Sequence, residues 1–474
     1  MASCYEVVDV NQWLSGWANH NVGGASGVIL PLVDLRSYDD FDEQHLSCTP
    51  AVDTVNEKTK TAESTSEKDH ITIVNLPMAT LLSGERSCEL PPRHVEFAIL
   101  VPTQYAKEFH KNQDCPIHQL FFASQSKTTM QSRKPWLVRQ VLIEEDALWK
   151  TAGDLGFVQS CGKGSCNGNE IFPFRSHPRL WKPDPLVSSD ILPLLKVWLA
   201  EKNTSHSDES YDVVGVNNAT SNGMTTEENS IGLVLDLGSG AGRDICYLAE
   251  ELKQCRHSLL EQQRQQQQQQ SKCMRSIHFI GIDNHKGSAK RCLPLWTNRG
   301  VHDVTESCNI DLNKLHRVRD HFMNVSKMKP QTSNQSTILC IFAIRFLNRR
   351  LLSYISNSQS MQETNGNMHV TNASQTPPSK RAKHAPPPPL VLPLGTLIAI
   401  SHFCKSEEGA SWNFDHPKES SVLDRWELKK LFNDAVCSSA SGEIMPRWEI
   451  LKDDIVPDGD HGRTLIQFVA RKVA

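Results

Sequence analysis

The stretch LVLDLGSGAGRD, Leu233–Asp244, decides how this chain is read. An aliphatic run meets an acid, and glycines then stand at every second position. GLVLDL predicts a buried strand, GSGAG a turn, and RDICYLAEEL a helix with Ile245, Leu248, Ala249 and Leu252 on one face. Glycines allow a sharp turn and let a ligand approach the start of the helix. A dinucleotide site uses Gly-x-Gly-x-x-Gly and seats a diphosphate there. Asp236, two residues before the first glycine, would repel that diphosphate. S-adenosylmethionine has no phosphate and carries an ammonium and a sulfonium, both favoured by a carboxylate at the strand end.

Working outward, IHFIGIDNH predicts a second strand ending at Asp283, whose carboxylate can accept hydrogen bonds from both ribose hydroxyls. The separation from the glycine loop is long, and the glutamine tract accounts for the surplus. CNIDL offers Asp311 to the exocyclic amine of adenine. STILCIFAIRFLNRRLL predicts a fourth strand and helix, LPLGTLIAISHF a fifth strand, and WEILKDDIV with RTLIQFVARK a closing antiparallel pair. The donor-binding set is then Asp236, Gly238, Ser239, Gly240, Gly242, Arg243, Asp283, Asn284 and Asp311.

This pattern resembles the class I S-adenosylmethionine-dependent methyltransferases over residues 231–474. Within them, DLGSGAGRDICYLA, RFLNRRLL, GTLIAISHF and RWELKKLF resemble the tellurite-resistance and thiopurine-type small-molecule branch. HPRLWKPDPLV, residues 177–187, looks like a lead-in segment able to cover the site. The resemblance implies a Rossmann-like seven-stranded sheet, S-adenosyl-L-methionine as cofactor and a small-molecule or thiol-like acceptor. A soft nucleophile needs no dedicated base, so the catalytic residue stays open. Arg345, Asn348 and His402, at the carboxyl ends of strands four and five, are the acceptor-side candidates.

Before residue 160 lies another α/β layer. Apolar residues 28–33 predict a buried strand, with a helix starting in the acidic segment behind it. ITIVNLP and VEFAILVP predict further strands, and LIEEDALWKTAGDLGF a helix. VDLRSYDDF…HL, VNLP, ELPPRHVEFAIL and GDLGF resemble a rhodanese-like domain. In an active rhodanese a cysteine follows the central strand; here that strand runs into Val101-Pro102-Thr103-Gln104-Tyr105, and Cys115 lies further on. The resemblance therefore implies no sulfurtransferase activity and a role in docking a protein partner or shaping the substrate mouth. Asp34 and Arg36 are most simply a pair that holds the fold.

The fold class expected is α/β with two α/β domains: residues 1–160, a connector at 161–230, and 231–474. Low-hydrophobicity inserts expected to be disordered fall at 47–70, 201–230, 254–275 and 357–390. The 474-residue chain is 38% hydrophobic, has a net charge of -4, and gives no general electrostatic reason to bind nucleic acid. No apolar run approaches a membrane span. The start, MASCYEVVDVNQW, lacks the basic-then-apolar pattern of a signal peptide, so fourteen cysteines are expected as reduced thiols in a soluble cytoplasmic protein. The tight pair Cys161 and Cys166 has no second pair, so no metal is expected. The basic run Ser379–Lys383 is either a nuclear import signal or a solvated loop. Two other functions compete. One is an RNA or protein methyltransferase with the first domain as recognition module, against which AIRFLN stands where an Asn-Pro-Pro-Tyr type tetrapeptide would. The other is a non-catalytic binding protein.

Overall fold

Short aliphatic runs, too apolar to face water on either side, organise this chain into parallel sheets. The computed structural model describes residues 6–9, 12–14, 30–46, 72–122, 135–159, 179–200, 231–265, 275–325, 336–359, 388–438, 444–458 and 462–474, apart from positions 85, 94, 112, 113 and 156. The inserts expected at 47–70 and 201–230, the Cys161/Cys166 pair and the Ser379–Lys383 run lie outside the described residues. The chain divides into two compact units, Met1–Lys182 and Pro183–Ala474, each α/β. The second unit thus takes in the lead-in residues from Pro183 onward.

In the first unit the strands are β1 (Glu6–Val7), β2 (Leu32–Asp34), β3 (His45–Leu46), β4 (Ile73–Asn75), β5 (Phe97–Val101), β6 (Val138–Ile143) and β7 (Val158–Gln159). Five of them make a parallel sheet in the order β1-β6-β5-β2-β4, and β3 pairs antiparallel with β7. All five residues of β5 are buried. The strand expected at 28–33 is instead Leu32–Asp34 among the described residues. Pro31 has no N–H to give to a ladder, though its carbonyl accepts from Ala98 N at 2.8 Å; the first N–H to pair is Leu32 N, donating to Thr72 O at 2.9 Å. Asp34 and Arg36 form a buried ion pair of 2.7 Å.

The second unit is built on β8 (Ile231–Leu237), β9 (Ser276–Asp283), β10 (Thr305–Asn309), β11 (Ser336–Ile344), β12 (Leu397–Phe403), β15 (Trp448–Pro457) and β16 (Thr464–Lys472), with a small hairpin of β13 (Val436–Ser438) and β14 (Ile444–Pro446) beside them. The sheet order is β10-β9-β8-β11-β12-β16-β15. β8 to β12 run parallel and β16 runs against both its neighbours. This is a Rossmann-like seven-stranded sheet. The chain moves outward from β8 through β9 to β10, then returns to β11 on the other side of β8. Connections therefore diverge at the carboxyl ends of β8 and β11, and that divergence leaves a crevice where ligands bind in open α/β sheets.

Two expected inserts are shorter than supposed. The helix that opens after the glycine loop, Arg243–Gln265, runs into the 254–275 stretch. Leu, Glu, Gln and Arg are good helix formers, and prolonging a helix is far easier than nucleating one. Likewise residues 357–359 and 388–390, inside the expected 357–390 insert, belong to the fold. Gln359 bridges Val391, and the buried Lys472 Nζ donates to Ser358 O at 2.7 Å. No helix among the described residues is long and apolar enough to cross a membrane.

Candidate functional site

At the crevice the backbone of the glycine loop is tied to the neighbouring strand. Gly238 N donates to Ile282 O at 2.7 Å, and Gly240 N to Asp283 Oδ2 at 2.9 Å. Asp283 Oδ1 accepts from His285 N at 2.7 Å. A carboxylate has about four lone-pair sites, so two remain for a ligand. Gly238 has φ +78°, and a Cβ there would lie 2.5 Å from the Phe346 ring. Glycine is needed both for the turn and for the close approach of Phe346.

A cleft of about 330 Å³ opens here, lined by Gly238, Asp283, Asn284, Leu312, Asn313, Phe346, Leu347 and Asn348. It combines an apolar wall, one carboxylate and three amide groups. Asn348 also caps the helix Arg349–Ser356, its Oδ1 accepting from Leu351 N. Its Nδ2 donates to Asn313 Oδ1 at 3.2 Å, which joins the β10 side of the cleft to the β11 side.

Of the sequence-derived set, Gly238, Asp283, Asn284 and Asn348 line the cleft. Asp236 is buried beneath the loop at 4% exposure. Ser239 turns inward, its Oγ packed against Gly281. Arg243 starts the helix. Asp311 is not in the lining; its Oδ1 accepts from Asn313 N at 3.1 Å, a turn that presents Leu312 and Asn313 instead. That backbone hydrogen bond holds the Asp311 carboxyl below its ordinary pKa. His402 is buried, with Nε2 2.8 Å from Ser421 O, and burial lowers its pKa. Arg345 pairs with Asp458 at 2.8 Å and remains 44% exposed. The lining residues absent from the sequence-derived set are Leu312, Asn313, Phe346 and Leu347. The only sequence signal for them was their position just past strands three and four.

Acidic groups crowd below the loop. Burial raises the Asp236 carboxyl well above its ordinary pKa, and nearby Asp244 and Asp283 add to the rise. Burial also pushes Asp244 up to about 6, despite the hydrogen bond it accepts from Asp184 N. Asp184, from the lead-in segment, accepts from Ser401 Oγ at 2.9 Å and is raised by burial as well. Protons bound to such acids favour the folded, ligand-free state. For Asp244 this contribution is present below the unfolded value of 3.8 and is lost as pH rises through about 6. Asp244→Asn is therefore expected to raise the ligand-free melting temperature at pH 7.5, by about 2–4 °C. The gain should shrink toward pH 5; scanning calorimetry of both proteins across that range checks it.

Gly242, at φ +68°, faces the helix Lys286–Asn298: a Cβ would sit 2.7 Å from Trp296 and 2.9 Å from Cys292 Sγ. Gly242→Ala is expected to destabilise the fold by about 2 kcal/mol through overpacking and left-handed strain, measurable by urea unfolding.

The first unit has its own cleft of about 280 Å³ at the carboxyl end of β5 and β6, lined by Asp40, Pro102, Thr103, Gln104, Glu144, Glu145, Asp146 and Trp149. No cysteine is in that lining. Cys115 is buried as the cap of the helix Pro116–Phe121. Among the described residues no group of His, Cys, Asp and Glu is placed to hold a metal.

No protein-family profile matches this chain, and no curated protein does. Solved structures with a similar fold include the [4+2]-cyclase SpnF, at 12% identity over 53% of this chain and 77% of that one, with a TM-score of 0.29. A SAM dependent methyltransferase from Aquifex aeolicus is 15% identical over 51% and 82%, with a TM-score of 0.25. The 1,6-didemethyltoxoflavin-N1-methyltransferase of Burkholderia thailandensis, solved with S-adenosylhomocysteine, is 13% identical over 52% and 72%, at 0.26. These likenesses are too distant to assign a reaction.

Proposed function

We propose that the second unit is an S-adenosylmethionine-dependent methyltransferase of the tellurite-resistance and thiopurine-type branch, acting on a small-molecule or thiol-like acceptor. The observation that carries this reading is the pairing of a glycine loop with carboxylates in place of an anion cradle. Asp283 keeps lone pairs toward the cleft, where ribose hydroxyls would donate. Asp236 lies buried below the loop, close to Asp244 and Asp283. A diphosphate would meet the Asp283 carboxylate and further disfavour charge on the buried Asp236 and Asp244, whereas a cation favours the ionised form of all three.

The residues present fit that donor. Gly238 lets the Phe346 ring close onto the loop, Phe346 and Leu347 give the cleft an apolar wall for the adenine, and Asn284 and Asn313 bring amide groups to the lining. When bound, the donor supplies an electrophilic methyl on a sulfonium. The protein's share is to fix the approach line and exclude water. We read the segment after β12 as serving the second purpose. Its return at Ser420–Val422 is pinned by Arg349, which donates to Ser420 O and Val422 O.

The first unit we read as a rhodanese-like domain without sulfurtransferase activity, serving a protein partner or the substrate mouth. Its parallel order β1-β6-β5-β2-β4 and its acidic, cysteine-free cleft support that reading, since acids there would repel thiosulfate. Thiosulfate turnover by the full chain would overturn it.

Titration calorimetry with S-adenosylmethionine and S-adenosylhomocysteine tests the donor. Micromolar binding is expected, and absence of binding would leave a non-catalytic scaffold. Incubation with labelled donor and fractionated cell extract tests the acceptor. Label in low-mass material is expected; label in RNA or protein would replace the small acceptor with a macromolecular one.

A further inference from the structure

Beside the donor cleft, one residue before Phe346, the chain leaves β11 through Arg345 in a left-handed conformation, φ 55°. A residue with a Cβ adopts that region at a free-energy cost, and such strain gathers where a side chain must be aimed. Three contacts hold the aim. Arg345 N donates to Ser401 O at 2.6 Å, Nη2 donates to Asp458 Oδ1 at 2.8 Å, and the guanidinium lies over the Phe403 ring with Cζ 5.6 Å from its centroid. Asp458 is buried and shared: Arg463 Nη2 lies 2.6 Å from its Oδ2, and the Arg463 guanidinium also rests on Phe403, at 4.9 Å. Two guanidiniums thus share one carboxylate, which leaves the group with one net positive charge.

Two carboxyls, Asp184 and Asp244, also feel the Arg345 charge, and burial raises the pKa of both, that of Asp244 to about 6. Asp184 accepts from Leu186 N and Ser401 Oγ, Asp244 accepts from Asp184 N, and Arg349 pairs with Glu427. The Arg463 side chain is 20% exposed and that of Arg345 44%, so Arg345 carries the outward-facing donors. Next to it the aromatic surface continues. Trp412 meets the Phe403 ring edge-on at 6.2 Å, and the exposed Phe414 packs on Trp412 at 4.9 Å.

We infer that Arg345 is the anion-recognising residue of the acceptor site, and that the acceptor carries an oxyanion, carboxylate or phosphoryl, beside a flat apolar body that rests on Phe403, Trp412 and Phe414. The inference rests on the methyl-transfer reading and deepens it. A guanidinium matches both oxyanions through paired N–H donors, and a ring ladder matches a planar body. Asp458 and Arg463 act as positioning residues: they hold the fork still, so little ordering is left for binding to supply.

The test uses the full chain saturated with S-adenosylhomocysteine, and three probes: 1-naphthoate, 1-naphthyl phosphate and the neutral 1-naphthalenemethanol. At least one anionic probe is expected to bind about tenfold tighter than the neutral one, and which of the two does so identifies the oxyanion. Arg345→Gln should erase the difference while the neutral probe and S-adenosylhomocysteine bind as before, and Arg345→Lys should restore part of it. Equal binding of all three probes, or no anionic binding by protein that does hold S-adenosylhomocysteine, overturns the inference. So does a tenfold loss of S-adenosylhomocysteine affinity in Arg345→Gln, since Arg345 would then hold the donor's own carboxylate. A chain that fails to bind S-adenosylhomocysteine at all sinks the donor reading and this inference with it.

Discussion

Asp283→Ala abolishes micromolar binding of S-adenosylmethionine: the expected loss is about a thousandfold, or about 4 kcal/mol. The side chain performs two tasks at once. It accepts from Gly240 N and His285 N, so it fastens the glycine loop to the end of β9. Its remaining lone pairs face the cleft, and each hydrogen bond between a charged group and a ligand hydroxyl contributes about 1.5–3 kcal/mol. Alanine removes the ribose contacts and loosens the loop together. Asp283→Asn separates the two tasks. Its amide oxygen can keep one backbone N–H, so loop geometry is partly retained while one ribose partner is lost, and an intermediate affinity is expected. Calorimetric titration of the three proteins decides; wild-type affinity in Asp283→Ala would remove the cleft from consideration as the donor site.

The second large effect has opposite signs in two measurements. Asp236→Asn is expected to weaken donor binding about a hundredfold, or about 2.7 kcal/mol, and to make the ligand-free protein more stable. Burial and the neighbouring Asp244 and Asp283 raise the Asp236 carboxyl well above its ordinary pKa. Without a cation the folded chain therefore holds a proton there more tightly than the unfolded chain, which ionises at the usual value. Folding must then take up a proton against solution pH, and that penalty grows as pH rises. An amide never incurs it. A bound cation reverses the balance by favouring the carboxylate, so donor binding should release a proton. Calorimetry in two buffers of different ionisation enthalpy reads that release directly, and Asp236→Asn should lack it. A lower melting temperature for the ligand-free variant would show that Asp236 serves the fold and leave the donor without its counter-charge.

Much of this site is legible in the chain because its elements are local. The run from Leu233 to Asp244 contains its own strand, turn and helix start, and Asp283 ends a strand whose apolar run is clear. Legibility fails where a residue's place depends on something remote. Asn309 pairs with Asp283, so the cleft wall after β10 depends on the turn at 310–313. There Asp311 closes onto Asn313 and hands the lining to Leu312 and Asn313, and no spacing rule foretells that turn. Phe346 matters because a glycine more than a hundred residues earlier leaves room for it. Asp184 meets Ser401 across 217 positions. The glutamine-rich stretch misleads for a different reason: low hydrophobicity suggests disorder, yet the helix begun at Arg243 carries it as far as Gln265.

That helix has a consequence for how the gene can change. Glutamine repeats are prone to lose and gain units as DNA is copied. With a rise of about 1.5 Å per residue, Gln265 stands about 33 Å along the axis from Arg243. Gln262, Gln263 and Gln265 thus sit at the tip remote from the glycine loop, so a change in their number leaves the loop end of the helix in place.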